Sequence, residues 1–216
     1  MKLTADEPGA GSWRVRQLSD VARHLVDQAG DVYGRPVVIG VDGRSASGKS
    51  TLSDRLRRVF GSACVVHTDD IAWYHGLFNW EELISDGVLG PVHRGEDVQY
   101  RPPAWDARGR TGAIEVDRSC AVLVVEGVGV ARRALMKYLD AVVWVQSDLA
   151  QARVRGLARD GDSPAEVAFW DEWDAAELIF LAHERRWERA DLIVAGTPVL
   201  RHDPVRQVVA ATGLRR

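Results

Sequence analysis

Gly43-Arg44-Ser45-Ala46-Ser47-Gly48-Lys49-Ser50-Thr51 follows the apolar run Val37-Val38-Ile39-Gly40-Val41 and precedes a pattern in which Leu52, Leu56 and Val59 recur at helical spacing. The stretch satisfies G-x-x-x-x-G-K-[ST] at every defined position. The β-branched run reads as a buried strand, so strand, glycine loop and helix stand in the order a phosphate-binding loop requires. Gly43 and Gly48 let the backbone turn and come close to a polyphosphate, so that consecutive N–H groups form an anion nest at the positive end of the next helix. Lys49 is placed to reach the β- and γ-phosphates, and the Ser50 hydroxyl to complete the coordination of Mg²⁺. Gly43 to Thr51 is therefore the expected nucleotide site, with ATP and Mg²⁺ as cofactors. A glycine turn with a merely solvated lysine would not need the strand and the helix around it.

The chain has 216 residues and a formal net charge of −3. That length suits one domain, residues 1–216, with the stretch 71–117 as an insert. Basic residues are spread along the chain rather than gathered in a tract, which argues against a nucleic-acid partner. Residues 1–11 are polar, are expected to be loose, and hold no apolar core of the signal-peptide kind. No run approaches a membrane span. Cys64 and Cys120 lie far apart at strand-like runs and form no Cys-x-x-Cys pattern. They read as two small buried residues without a disulfide, in a reducing cytoplasm.

Working outward from the loop, Trp13 to Ala29 shows an amphipathic helical period ahead of the first strand. Ala63-Cys64-Val65-Val66, Val122 to Val125, Ala141 to Val145 and Asp191 to Ala195 read as further strands. The expected fold is a three-layer α/β/α P-loop NTPase with a mostly parallel five-stranded sheet and a substrate-binding insert. A short helix around Pro204 to Ala211 would finish it. The second strand ends at Asp69-Asp70 and the third at Glu126. Ligands in open α/β sheets bind beyond the carboxyl ends of the strands, so these acids should face the phosphates. A carboxylate of the Asp69-Asp70 pair could accept the proton of an attacking hydroxyl or hold Mg²⁺ through water, and Glu126 is placed to organise the metal with Ser50. Arg155 and Arg159 share a helix face that could neutralise charge on the transferred group.

The insert carries Trp73, Tyr74, Trp80 and Trp105 and a hairpin expected between Val98-Gln99-Tyr100 and Ile114-Glu115-Val116. Long segments without regular structure are more often functional than idle. Asp70, Trp73, Tyr74, Trp105, Asp106 and Arg110 are its candidate acceptor-binding residues, the aromatics as stacking surfaces or as a small subcore. Ser163-Pro164-Ala165-Glu166 combines a capping box with proline at the first helical position, opening a long helix whose aromatic stripe reads as core or partner surface. The run Glu184-Arg185-Arg186 reads as its exposed side.

Four local features in order, spread over residues 37–197, resemble the uridine kinase and phosphoribulokinase group of P-loop kinases. They are Val41 to Thr51, Thr68-Asp69-Asp70, Pro103-Ala104-Trp105-Asp106, and Val124-Val125-Glu126-Gly127 with Arg155 and Arg159-Asp160. The resemblance implies Asp69 as catalytic base, Asp70 as its neighbour, Pro103 to Asp106 as a substrate flap, and Arg155 and Arg159 as lid arginines. Ile71-Ala72 stands where that group usually has aromatics, and no histidine appears near Arg108 or Arg110. The expectation is a kinase that moves a γ-phosphoryl group to a hydroxyl of a small molecule, a nucleoside or a sugar. The rivals are a nucleotide-dependent switch that binds a protein through the aromatic insert, a nucleoside monophosphate kinase, and an antibiotic-modifying phosphotransferase. A homo-oligomer is left open.

Overall fold

The computed structural model describes residues 1–198 and 200–213. Strand β1 (Arg14–Gln17) leads directly into helix α1 (Leu18–Ala29), and β2 (Val37–Gly43) leads through the glycine loop into α2 (Lys49–Phe60). Next come β3 (Ala63–His67) and α3 (Thr68–Ala72). The insert holds α4 (Glu81–Ile84), α5 (Gly90–His93), β4 (Val98–Tyr100), α6 (Pro103–Ala107) and β5 (Ile114–Val116). Beyond it lie β6 (Val122–Glu126), β7 (Ala141–Gln146), α7 (Leu149–Asp160), α8 (Pro164–Glu184), β8 (Leu192–Ala195) and β9 (Gln207–Ala211).

Among the described residues one sheet has seven strands in the order β1-β9-β8-β7-β2-β6-β3. The pairs from β8 across to β3 are parallel, whereas β9 runs antiparallel to both β8 and β1. The five expected strands are the parallel part; β1 and β9 extend it. The start of the expected Trp13 helix is strand β1. The expected C-terminal helix is strand β9, because Val208 to Ala211 is buried throughout and a fully apolar run carries no period to separate strand from helix.

Alternation along β2 divides the core. Ile39 and Val41 pack with Leu25 of α1 and Leu56 of α2 on one face. Val38 packs with Ile84, Val88, Leu89 and Val92 of the insert on the other. Residues 81–93 are continuously helical, with a π-helical stretch at Ser85–Leu89 between α4 and α5, so the insert supplies part of a layer. The expected hairpin forms, Val98 opposite Val116.

Two further expectations are corrected. Residues 1–11 are not loose: Glu7 and Ala10 are buried, Glu7 Oε1 accepts Trp144 Nε1–H at 2.7 Å, and Ala10 N–H donates to Gln146 Oε1. Cys64 and Cys120 are joined in a disulfide. Parallel pairing sets Cys64 opposite Leu123, which brings the turn before β6 beside β3, an adjacency the sequence spacing does not reveal. The cysteine argument for a reducing compartment therefore falls. No helix among the described residues is long and apolar enough to cross a membrane.

Candidate active site

The loop between β2 and α2 is shaped by two left-handed residues, Ala46 at φ 54° and Gly48 at φ 101°. Alternation of right- and left-handed backbone is what turns successive amides toward one point. A side chain at Gly43 would meet the Val145 carbonyl at 2.6 Å, so only glycine lets the loop lie this close to β7. Not every loop amide is available to a ligand. Ser47 N–H donates to Arg44 O at 3.1 Å and Ser45 N–H to Glu177 Oε1 at 2.8 Å. The Ala46, Gly48, Lys49, Ser50 and Thr51 amides have no protein acceptor among the described residues, which fits an anion cradle. Lys49 Nζ is held by Arg44 O at 2.8 Å.

A cavity of about 600 Å³ opens beside this loop, lined by Lys49 and Ser50 on one side and by Asp69 and Glu126 on another. Ser50 Oγ donates to Glu126 Oε1 at 3.0 Å, and the same oxygen lies 2.6 Å from His67 Nδ1. A hydroxyl and a carboxylate this close form the hard-oxygen donor set that Mg²⁺ prefers. Burial pushes the Glu126 carboxyl up, but the hydrogen bond with His67 and the charge of Lys49 outweigh it and leave the acid below its ordinary value. His67 is raised, chiefly by its bond to Glu126. Asp69 moves the opposite way from Glu126: burial holds its proton more tightly, Lys49 opposes this, and the nearby Glu126 adds to it.

Arg155 and Arg159 both line the cavity. Arg155 Nη1 donates to Gly196 O at 2.8 Å, and Arg159 Nε donates to Asp160 Oδ1 at 2.6 Å. Asp148 caps their helix through the Ala150 and Gln151 amides. Trp73 and Tyr74 line the cavity too, Tyr74 in a left-handed conformation at φ 52°. Asp70, Trp105, Asp106 and Arg110 are not part of that lining. Arg110 pairs with Asp70 at 2.5 Å and lies 3.7 Å over the Trp105 ring, Trp105 Nε1–H donates to Asp70 O, and Asp106 pairs with Arg101. Asp70, Trp105 and Arg110 thus fasten the insert to α3, whereas the Asp106–Arg101 pair lies within the insert itself.

Sequence reasoning missed three groups. Phe169, Trp170 and Trp173 of α8 line the cavity, so part of the aromatic stripe read as core or partner surface is a wall of the site. Arg186, read as exposed, is fully buried and pairs with Asp42 at 2.8 Å. Asp42 also accepts the Gly43, Gly129 and Ala131 amides, fixing the end of β2 to the turn beyond β6. Glu177 is fully buried against the loop. An acid ending the glycine-loop strand was a visible signal for Asp42; for Glu177 there was none.

No family model matches the chain. Over 143 residues it is 25% identical to a uridine kinase of Clostridium tetani, covering 58% of this chain and 68% of that one. It is 29% identical over 118 residues to a nicotinamide riboside kinase of Schizosaccharomyces pombe, covering 50% and 44%. A solved structure described as a possible uridine kinase from Bacillus stearothermophilus shares the fold at a TM-score of 0.53, with 19% identity over 82% of this chain and 96% of that one. The chain is thus similar in sequence to two small-molecule kinases and shares the α/β fold of P-loop kinases.

Proposed function

We propose that this protein is an ATP- and Mg²⁺-dependent kinase that transfers the γ-phosphoryl group to a hydroxyl of a small molecule bearing a planar ring, of the nucleoside kind. One observation carries the reading: Lys49, Ser50, Asp69 and Glu126 share a single cavity that aromatic side chains also line. The two curated relatives are named for uridine and nicotinamide riboside, each a planar ring on a ribose. Trp73, Phe169 and Trp173 offer faces on which such a ring can stack.

In this reading the loop amides and Lys49 hold the phosphates, and Ser50 with Glu126 would hold the metal. When bound, Mg²⁺ neutralises charge on the phosphate oxygens. Asp69 takes the proton of the acceptor hydroxyl as that oxygen attacks phosphorus. Arg159 adds positive charge to the same cavity, while Arg155 braces the turn after β8. Transfer of this kind depends on positioning and charge more than on covalent chemistry.

The test is ATP turnover by purified protein against a panel of nucleosides, sugars and vitamins. Slow turnover alone and a sharp response to a ring-bearing alcohol are expected; stimulation only by a macromolecule would favour a switch. With the right acceptor, Lys49→Ala or Asp69→Asn should lower kcat on the order of 10²-fold or more. Near wild-type kcat in Asp69→Asn would remove it as base.

A further inference from the structure

Glu177 lies on α8, and its side chain is completely shielded from solvent. Its Oε1 accepts the Ser45 N–H at 2.8 Å, and its Oε2 stands 3.3 Å from Arg44 Nη2. A buried carboxylate is tolerated only where hydrogen bonds and opposite charge compensate it. Here both compensating groups are consecutive residues of the phosphate loop. Arg44 Nη2 also lies 3.8 Å from Asp174 Oδ1, whose Oδ2 accepts Arg153 Nη1–H at 2.6 Å. Arg153 belongs to α7, the helix that carries Arg155 and Arg159. The loop holds a non-glycine residue, Ala46, in a left-handed conformation, and such a backbone persists only when its surroundings hold it.

We propose that Glu177 is a positioning residue for the phosphate loop. It fixes the Arg44–Ser45 peptide from behind, so that the amides of Ala46, Gly48 and Lys49 to Thr51 are left to face the cavity. Through Arg44 and Asp174 the same carboxylate ties the loop to α7, so the loop and the cavity arginines move as one unit. The inference rests on the nucleotide-binding reading for its consequence, though not for its geometry. Its signature is in the loop amides, not in the acceptor end of the cavity.

Amide hydrogen exchange of the peptide spanning residues 43–51, in nucleotide-free protein, and the Kd for MgATP would be measured in wild type, Glu177→Ala and Glu177→Gln. Glu177→Ala should speed exchange in the loop and weaken MgATP on the order of tenfold, the loss of one buried hydrogen bond to a charged group. Glu177→Gln keeps an acceptor oxygen for Ser45 and should restore most of the loop protection, a rescue that simple loss of packing would not give. A folded Glu177→Ala protein with wild-type loop exchange and wild-type Kd overturns the proposal. Should that variant not fold, Glu177→Asp, with the charge kept but one methylene short of Ser45, carries the same expectation and the same overturning result. A wild-type protein that binds no MgATP overturns the nucleotide reading instead, while loop exchange still decides the role of Glu177.

Discussion

Asp69 and Glu126 are carboxylates in one cavity whose proton affinities are driven apart. Burial raises Asp69, whereas His67, Lys49 and Ser50 bring Glu126 down against its own burial. Groups separated in this way are suited to different tasks, one to proton transfer and one to permanent charge. A carboxyl with a raised folded-state pKa keeps its proton to higher pH, so any step needing Asp69 ionised switches on above the ordinary carboxylate range. The acid limb of kcat/KM against pH, which reports groups of the free enzyme, should therefore lie above the ordinary aspartate value of about 3.9. A limb at or below that value would exclude Asp69 as the group that titrates. The roles proposed for Lys49 and Ser50 could be read from the chain because their spacing is itself the chemistry. Glu177 could not, since it reaches Ser45 across 132 positions and sits in a helix whose pattern is dominated by aromatics.

At the scale of elements, Asp42 decides how the ends of β2 and β6 meet. Its carboxylate takes three backbone amides and the Arg186 guanidinium, all out of contact with water. Asp42→Asn would leave the Arg186 charge buried without a counter-ion and should destabilise the fold by about 3–5 kcal/mol. Urea unfolding followed by circular dichroism measures this, and a change under about 1 kcal/mol would show that the pair is dispensable. The strands flanking the loop were legible because β-branched runs of four to seven residues leave few alternatives. β9 was not, because Gln207 to Ala211 lacks any alternation, and its place between β1 and β8 is fixed by pairing with distant strands. The helical stretch from Glu81 to His93 is hard to read in the sequence: Gly87, Gly90 and Pro91 interrupt the pattern, and the π-helical stretch shifts its period.

Over the whole molecule, the parallel order and the crevice at the loop end of the sheet follow from strand–helix alternation, and the sequence carries that alternation plainly. What it does not carry is adjacency between remote segments. The N-terminal arm seats Glu7 beside Trp144 and Gln146, and Cys64 meets Cys120. The two cysteines are 56 positions apart, and closing a loop of that size is expected to stabilise the fold by about 4 kcal/mol in the chain-entropy description. Thermal melts with and without dithiothreitol should differ accordingly, and identical melts would show that the link adds nothing to stability. Every residue of the insert from 71 to 117 lies between those two sulfurs. One tryptic nick there, for example after the exposed Arg108, leaves two fragments that still migrate as a single band on a gel run without thiol, and part only when mercaptoethanol is added.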